Sequence, residues 1–233
     1  MPPRKLSVVA DAAARNERAD TKAAMHAAEV IRLKIHEGLL SPGQRLIEPD
    51  LMSELGVGRS TIREAFLRLD AEGYVELRHQ RGAIVRRMTR RDMAELFEVR
   101  EQLEGLAASL SAARSGETRN RDWLLEQRER WSDKDLHSNA LRHMDENVVL
   151  HRGIIEMSGN RRLARTLEPM QIPGYRVQYL QLMDGARQEQ SSRDHLEVIA
   201  AILDGDAARA GLLMRAHVRE AGQLAQRIPN LLD

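Results

Sequence analysis

The hydrophobic pattern of this chain changes period once, close to residue 88, and that change limits what it can fold into. Before it, short helical stretches give way to two β-type runs, Tyr74-Val75-Glu76-Leu77 and Ala83-Ile84-Val85. After it, every extended segment repeats at helical spacing and no strand-like run occurs. A length of 233 residues leaves room for two modest domains. The expected fold is therefore mainly α. A winged helix-turn-helix over residues 21–88 precedes an all-helical antiparallel bundle over 89–233. Residues 1–20 carry mixed charge without a sustained apolar face and are expected to form a mobile arm.

Within the first domain, Met25, Ala28, Ile31, Leu33 and Ile35 mark an amphipathic helix from Thr21 to Leu40. Ser41-Pro42-Gly43 then supplies the residues of a type II turn. A short helix over Pro49 to Leu55 is broken by Gly56-Val57-Gly58. A second runs from about Thr61 to Glu72, with Ser60 as N-cap and Ile62, Phe66 and Leu69 as a buried stripe. The two β-type runs form the wing. Such a domain sets the N-terminus of its second helix in the major groove and its wing beside phosphates. That makes Arg59, Ser60, Thr61 and Arg63 candidates for the groove, and Arg78, His79, Arg81 and Gly82 candidates for the wing.

Charge supports the division. The chain carries a formal net charge of only +1, yet residues 1–90 hold 16 Lys and Arg against 12 Asp and Glu, and residues 91–233 hold 20 against 23. A basic reader is joined to a faintly acidic remainder. With no Cys, disulfides, thiolate metal sites and cysteine nucleophiles are excluded. With 3% aromatic residues a stacking platform for single strands is not expected; double-stranded DNA is the partner a winged helix is expected to read. No apolar run approaches the ~18 residues of a membrane span. Asp11 interrupts Leu6–Ala10 well short of a secretion signal, so a cytoplasmic, membrane-independent protein is expected.

In the bundle, Thr89 and Asp92 make a capping box opening a helix to about Arg114. Further helices are expected at 117–132, 136–157, 160–182 with breaks at Pro169 and Pro173, 191–204 and 206–227.

The run from Leu55 to Ala65 (LGVGRSTIREA), Leu69 to Val75 (LDAEGYV) and Arg81-Gly82-Ala83 resembles the GntR family of bacterial transcription regulators over residues 21–88. The resemblance implies that Arg59 and Arg63 contact bases and that His79 and Gly82 form the wing tip. Here Gly58 replaces the usual Ser, Thr61 replaces the Pro that often starts the helix, and Pro49 stands where some members carry another DNA-contacting arginine. The second half is similar to the FCD effector domain of the FadR-like subfamily. The similar stretches are Val99 to Glu104, His151 with Ser158-Gly159-Asn160, and Asp194 to Ile199 leading to Gly205-Asp206 and His217.

That likeness implies a divalent metal held by three histidines, His151, His195 and His217, and by an Asp one helical turn before the first. Asn147 occupies the Asp position and offers a neutral carbonyl oxygen instead. Asn147 and His151 share a helix face, and facing helices of a bundle can bring the other two together. Three imidazoles and an oxygen suit Zn²⁺, with Ni²⁺ and Mn²⁺ as alternatives. Without the likeness, buried histidines satisfied by the core explain the same spacing.

Three further roles stay open. His143, one turn beyond Asn147, suits an outer partner, a surface residue or a compensating ligand, and Asp145 lies on another face. Arg100 faces the effector cavity in relatives and suits a ligand carboxylate, but equally an ion pair with Glu104 at i+4. Tyr175, Gln178 and Tyr179 are candidates to line the pocket.

The expectation is a homodimeric repressor reading a palindromic operator and released by a small organic or sugar acid. A metal-dependent enzyme is the main alternative, but it requires a general acid or base that no Glu supplies at a specific spacing. An architectural DNA-binding protein with a purely dimerising bundle is the second.

Overall fold

The computed structural model describes residues 5–78, 82–133, 135–136, 139–168, 170, 175–229 and 231–232, with side chains from residue 21 onward. Two compact units divide near residue 88: one contains residues 1–87 and 172–176, the other 88–171 and 177–233.

The first unit opens with α1 (Lys5–His36), so residues 5–20 have helical backbone where the sequence suggested an arm without an element. The face α1 buries is Ala24, Ala27, Ala28, Ile31 and Ile35, in i, i+3, i+4, i+7, i+11 order. Met25 and Leu33, expected on the apolar face, are 56% and 54% exposed, because small alanines occupy the inward positions. The turn after α1 forms as expected. Gly43 sits at φ 81°, and the Gln44 N–H donates to the Ser41 carbonyl at 2.9 Å.

Next come β1 (Arg45–Leu46), α2 (Glu48–Leu55), α3 (Arg59–Ala71), β2 (Val75–Arg78) and β3 (Gly82–Val85). The sheet order is β1-β3-β2, antiparallel throughout, with Val75 opposite Val85 and Arg45 opposite Ile84. β1 is too short for any alternation to signal it. Helix α3 begins two residues earlier than expected. Gly58, not Ser60, is its N-cap, with no side-chain cap bond, so Ser60 lies inside the first turn. Ile62, Phe66 and Leu69 are buried as expected and join Ile31, Ile35, Leu51 and Val85 in one core. Burying a side chain of Phe66's size contributes on the order of 2–3 kcal/mol.

The second unit contains α4 (Arg90–Ala112), α5 (Thr118–Ser132), α6 (Ala140–Met157), α7 (Arg161–Leu167), α8 (Arg176–Leu182), α9 (Gly185–Leu203) and α10 (Ala207–Ala225). No named strand occurs here among the described residues. Helices α4 and α10 pack most intimately, at a glycine crossing. A Cβ on Gly105 would stand 3.0 Å from the Gly211 carbonyl oxygen, and one on Gly211 would stand 3.1 Å from that of Gly105. Only hydrogen atoms fit between the two backbones there. Helix α9 starts at Gly185, six residues before the expected position, because Asp184 caps it by accepting from the Arg187 N–H.

The capping box at α4 is complete. Thr89 Oγ1 accepts from the Asp92 N–H at 2.9 Å and Asp92 Oδ2 accepts from the Thr89 N–H at 2.8 Å. Thr89→Ala removes one of these bonds and is expected to cost about 1 kcal/mol. Urea unfolding followed by helical circular dichroism measures it. An unchanged midpoint would mean that the box does not stabilise α4.

Candidate functional site

In the first unit, the exposed N-terminal end of α3 presents Arg59, Ser60 and Arg63. Thr61 is 8% exposed and lies on the buried side with Ile62 and Ala65, so the DNA contact expected of it has no surface to act through. Helical geometry accounts for this. Arg59 and Arg63 are four residues apart on one face, and Thr61 lies between them, some 200° around the axis. Arg78 ends β2, exposed and ion-paired with Glu76 at 3.3 Å. Gly82 opens β3 opposite Arg78. His79 and Arg81, expected at the wing tip, lie outside the described residues.

In the second unit, three helices bring together the three histidines the sequence singled out. His151 comes from α6, His195 from α9 and His217 from α10, and all three are buried. Their ligating nitrogens lie within 4.8 Å of one another. The Nε2 of His195 stands 3.2 Å from that of His151 and 3.0 Å from that of His217. Two imidazole nitrogens bound to one ion at ~2.0–2.1 Å are roughly 2.8–3.4 Å apart for angles from 90° to tetrahedral. The observed spacings fall in that interval.

Two of the three outer nitrogens are held by carboxylates. The Nδ1 of His151 lies 2.5 Å from Glu104 Oε2 on α4, and the Nδ1 of His217 lies 3.4 Å from Asp194 Oδ2 on α9. A carboxylate accepting from Nδ1–H fixes the tautomer with its lone pair on Nε2, the atom that would face an ion. The Nδ1 of His195 is buried without a hydrogen-bond partner, and Trp131 on α5 packs against that ring at 4.1 Å between centroids.

Burial and neighbouring charge act on Glu104, His151 and His195 in different directions. Burial would raise the Glu104 carboxyl, but Arg100 and hydrogen bonding with His151 outweigh it and bring it down to about 2. Glu104 is therefore an anion in the core. Burial pushes the His151 imidazole down, only partly countered by Glu104. His195 is driven well below its ordinary range by burial, then by His217, His151 and His143. With His151 neutral, it is Arg100 together with the His151 N–H that holds Glu104 ionised. Neutral imidazoles are the form that binds metal.

The remaining candidates fall out as follows. Asn147 is half-buried on α6, one turn before His151. His143 is buried, so it is not a surface residue. Its Nε2 lies 3.2 Å from the Gln188 carbonyl oxygen and its ring meets Trp131 edge-on. Asp145 is exposed. Arg100 makes the internal pair, with Nε and Nη2 at 2.9 and 2.8 Å from Glu104 Oε1 and its guanidinium 4.7 Å over Phe97. Tyr179 on α8 senses the same arginine. Burial raises its phenol to about 12 against the opposing pull of Arg100 and Arg187. Gln178 Oε1 is buried without a hydrogen-bond partner. Tyr175 is buried but falls in the first unit rather than in the helical one.

Glu104, Asp194 and Trp131 were not legible as site residues. Glu104 did carry a signal: it interrupts the inward face of α4, between Phe97 and Ala108, with a carboxylate that needs a partner.

An exposed basic end on a winged-helix recognition helix, joined to a helical unit built around a polar core cluster, defines a DNA-binding regulator with a small-molecule sensor. Comparison with known proteins agrees. A family model described as "FCD domain" matches residues 95–220, and one described as "Bacterial regulatory proteins, gntR family" matches residues 23–85. The chain belongs to the GntR family of transcription regulators, in the group that carries an FCD domain. The Nta operon transcriptional regulator of Aminobacter aminovorans is 26% identical over 182 residues, covering 77% of this chain and 83% of the relative. The transcriptional repressor RspR of Escherichia coli K12 is 24% identical over 204 residues, covering 85% and 87%. In fold, E. coli McbR/YncC superposes with a TM-score of 0.71 at 18% identity, over 85% of this chain and 94% of that one.

A pH dependence follows from the histidines. In unfolded chain they take up protons near pH 6.5, whereas in the folded core His151 and His195 resist protonation. Their contribution to stability is thus present above pH 6.5 and is lost as pH falls below it. Chelator-treated protein is expected to show a Tm that drops from pH 7 to pH 5.5, and His195→Leu a shallower drop. Equal slopes would indicate that His195 is not buried neutral.

Proposed function

We propose that the chain is a homodimeric repressor whose helical unit binds a small organic or sugar acid beside a divalent ion, and that this binding releases a palindromic operator. The observation carrying this reading is the convergence of three Nε2 atoms, each on its own helix, with carboxylates behind two of them. His151, His195 and His217 would hold the ion, with Asn147 as an oxygen donor from one turn away. Zn²⁺ suits the set best, and Ni²⁺ or Mn²⁺ also fit. The ion would supply open positions for an effector carboxylate.

Arg100, Gln178 and Tyr179 supply the polar side of the pocket. Arg100 offers positive charge, Tyr179 a neutral hydroxyl at any working pH and Gln178 an unsatisfied carbonyl oxygen. Tyr175, being in the other unit, is left out of this set. Arg59, Ser60 and Arg63 would enter the major groove, with Arg78, His79, Arg81 and Gly82 at the backbone. Two such units on a two-fold dimer match a palindrome. Among the described residues no helix is long and apolar enough to cross a membrane, which suits action in the cytoplasm.

Effector control requires the acid to bind one arrangement of the dimer more tightly than the other, and the coupling is reciprocal. A thermal-shift screen of organic and sugar acids, run with and without chelator, tests the sensor. A subset is expected to raise Tm only when metal is present; no shift with any acid would contradict a sensing role. For the reader, Arg63→Ala is expected to leave weak, salt-sensitive binding that no longer discriminates sequence. Gel shifts on a duplex selected from a random pool measure this, and unchanged affinity and discrimination would remove α3 as the recognition helix.

A further inference from the structure

The two arginines at the head of α3 are not independent. Glu48, the first residue of α2, reaches both. Its Oε2 is ion-paired with Arg59 Nε at 3.0 Å, and its Oε1 accepts from Arg63 Nε at 3.2 Å. Each carboxylate oxygen serves one arginine. The arginine side chains are 63% and 64% exposed, whereas that of Glu48 is only 15% exposed. The carboxylate therefore sits behind the guanidinium groups, against the protein.

The choice of nitrogen matters. A guanidinium has five N–H donors, and Nε spends one of them. The four on Nη1 and Nη2 remain, and they form the end-on fork that grips guanine O6 and N7. Two cations at i, i+4 also repel each other, and one shared carboxylate relieves that repulsion. An ion pair this exposed adds little to fold stability. Its effect is on order: it restricts two long side chains that would otherwise lose their freedom only on binding DNA. A negative charge at that place also weakens attraction to phosphates of any sequence.

We propose that Glu48 is a positioning residue for base recognition, fixing Arg59 and Arg63 by their Nε atoms so that their forks read bases. Selectivity rises and affinity for arbitrary DNA falls. The proposal rests on the reading of α3 as the recognition helix.

The test uses the full-length protein and a pool of duplexes with a randomised centre. Wild-type protein selects a motif, and affinities for that motif and a scrambled duplex are then measured over a KCl series. Glu48→Gln is expected to lower the ratio of the two affinities roughly 5- to 10-fold, within the range of one good base contact. It is also expected to steepen the salt dependence on the scrambled duplex by about one unit of log–log slope. Glu48→Asp keeps the charge but is one methylene too short to reach both Nε atoms. It is expected to lose selectivity with no change on the scrambled duplex.

A helix-capping role alone, from an acidic residue in the first turn of α2, predicts a lower unfolding midpoint with the selectivity ratio intact. That result, in either variant, overturns the proposal. Arg63→Ala separates the two readings. If it flattens the motif and the Glu48 variants do not, only the role of Glu48 falls. If it too leaves the motif unchanged, α3 is not the reader, and both fall together.

Discussion

Three imidazoles meeting in a buried core create the constraint on which the helical unit is built. Their Nε2 atoms stand 3.0 and 3.2 Å apart around His195. Lone pairs facing one another at that distance repel unless a proton or a cation lies among them. A single proton on His195 Nε2 can be shared between the other two rings, and an ion can be shared by all three. Either way the outer nitrogens must be fixed, and Glu104 and Asp194 fix two of them. Glu104 is itself tied to Arg100, so one chain of charge runs from Arg100 to the cluster. The packing serves this arrangement. The close crossing at Gly105 and Gly211 draws α10 against α4, bringing His217 and Glu104 into one core.

The DNA-binding unit is organised on a different principle. Its core is apolar and ordinary, and its chemistry is on the surface, where arginines keep most of their exposure. Order there cannot come from burial. It comes from a carboxylate on the neighbouring helix. The two units thus show two uses of an acidic side chain behind a nitrogen base: one fixes the tautomer of a buried imidazole, and the other fixes the direction of an exposed guanidinium.

The sequence carried most of the framework and little of this second layer. Period and turn chemistry located the helix-turn-helix, the wing and the capping box at Thr89, because each is set by neighbours in the chain. The first strand escaped notice because two residues have no period, and its pairing with β3 is decided by tertiary packing. On α1 residue size and spacing point to Met25 and Leu33, whereas Ala24 and Ala27 face inward, since close packing there favours small side chains over large ones. The three histidines were legible through spacing and family likeness. Their carboxylate partners were not, because Glu104 is 47 residues from His151 and Asp194 is 23 from His217. Glu48 lies only 15 residues from Arg63, yet it looks like any helix-starting glutamate until the fold brings α2 and α3 together.

The central claim is that the cluster is a cation site and not merely a satisfied core. Titration of chelator-treated protein with Zn²⁺, read by calorimetry and by the fluorescence of Trp131 against His195, tests it directly. The account predicts one ion bound per chain, a change in tryptophan emission on binding, and loss of both in His195→Ala. Absence of binding by wild-type protein that is folded and near neutral pH would contradict it, and would leave a proton shared at His195 Nε2 as what holds the three rings together.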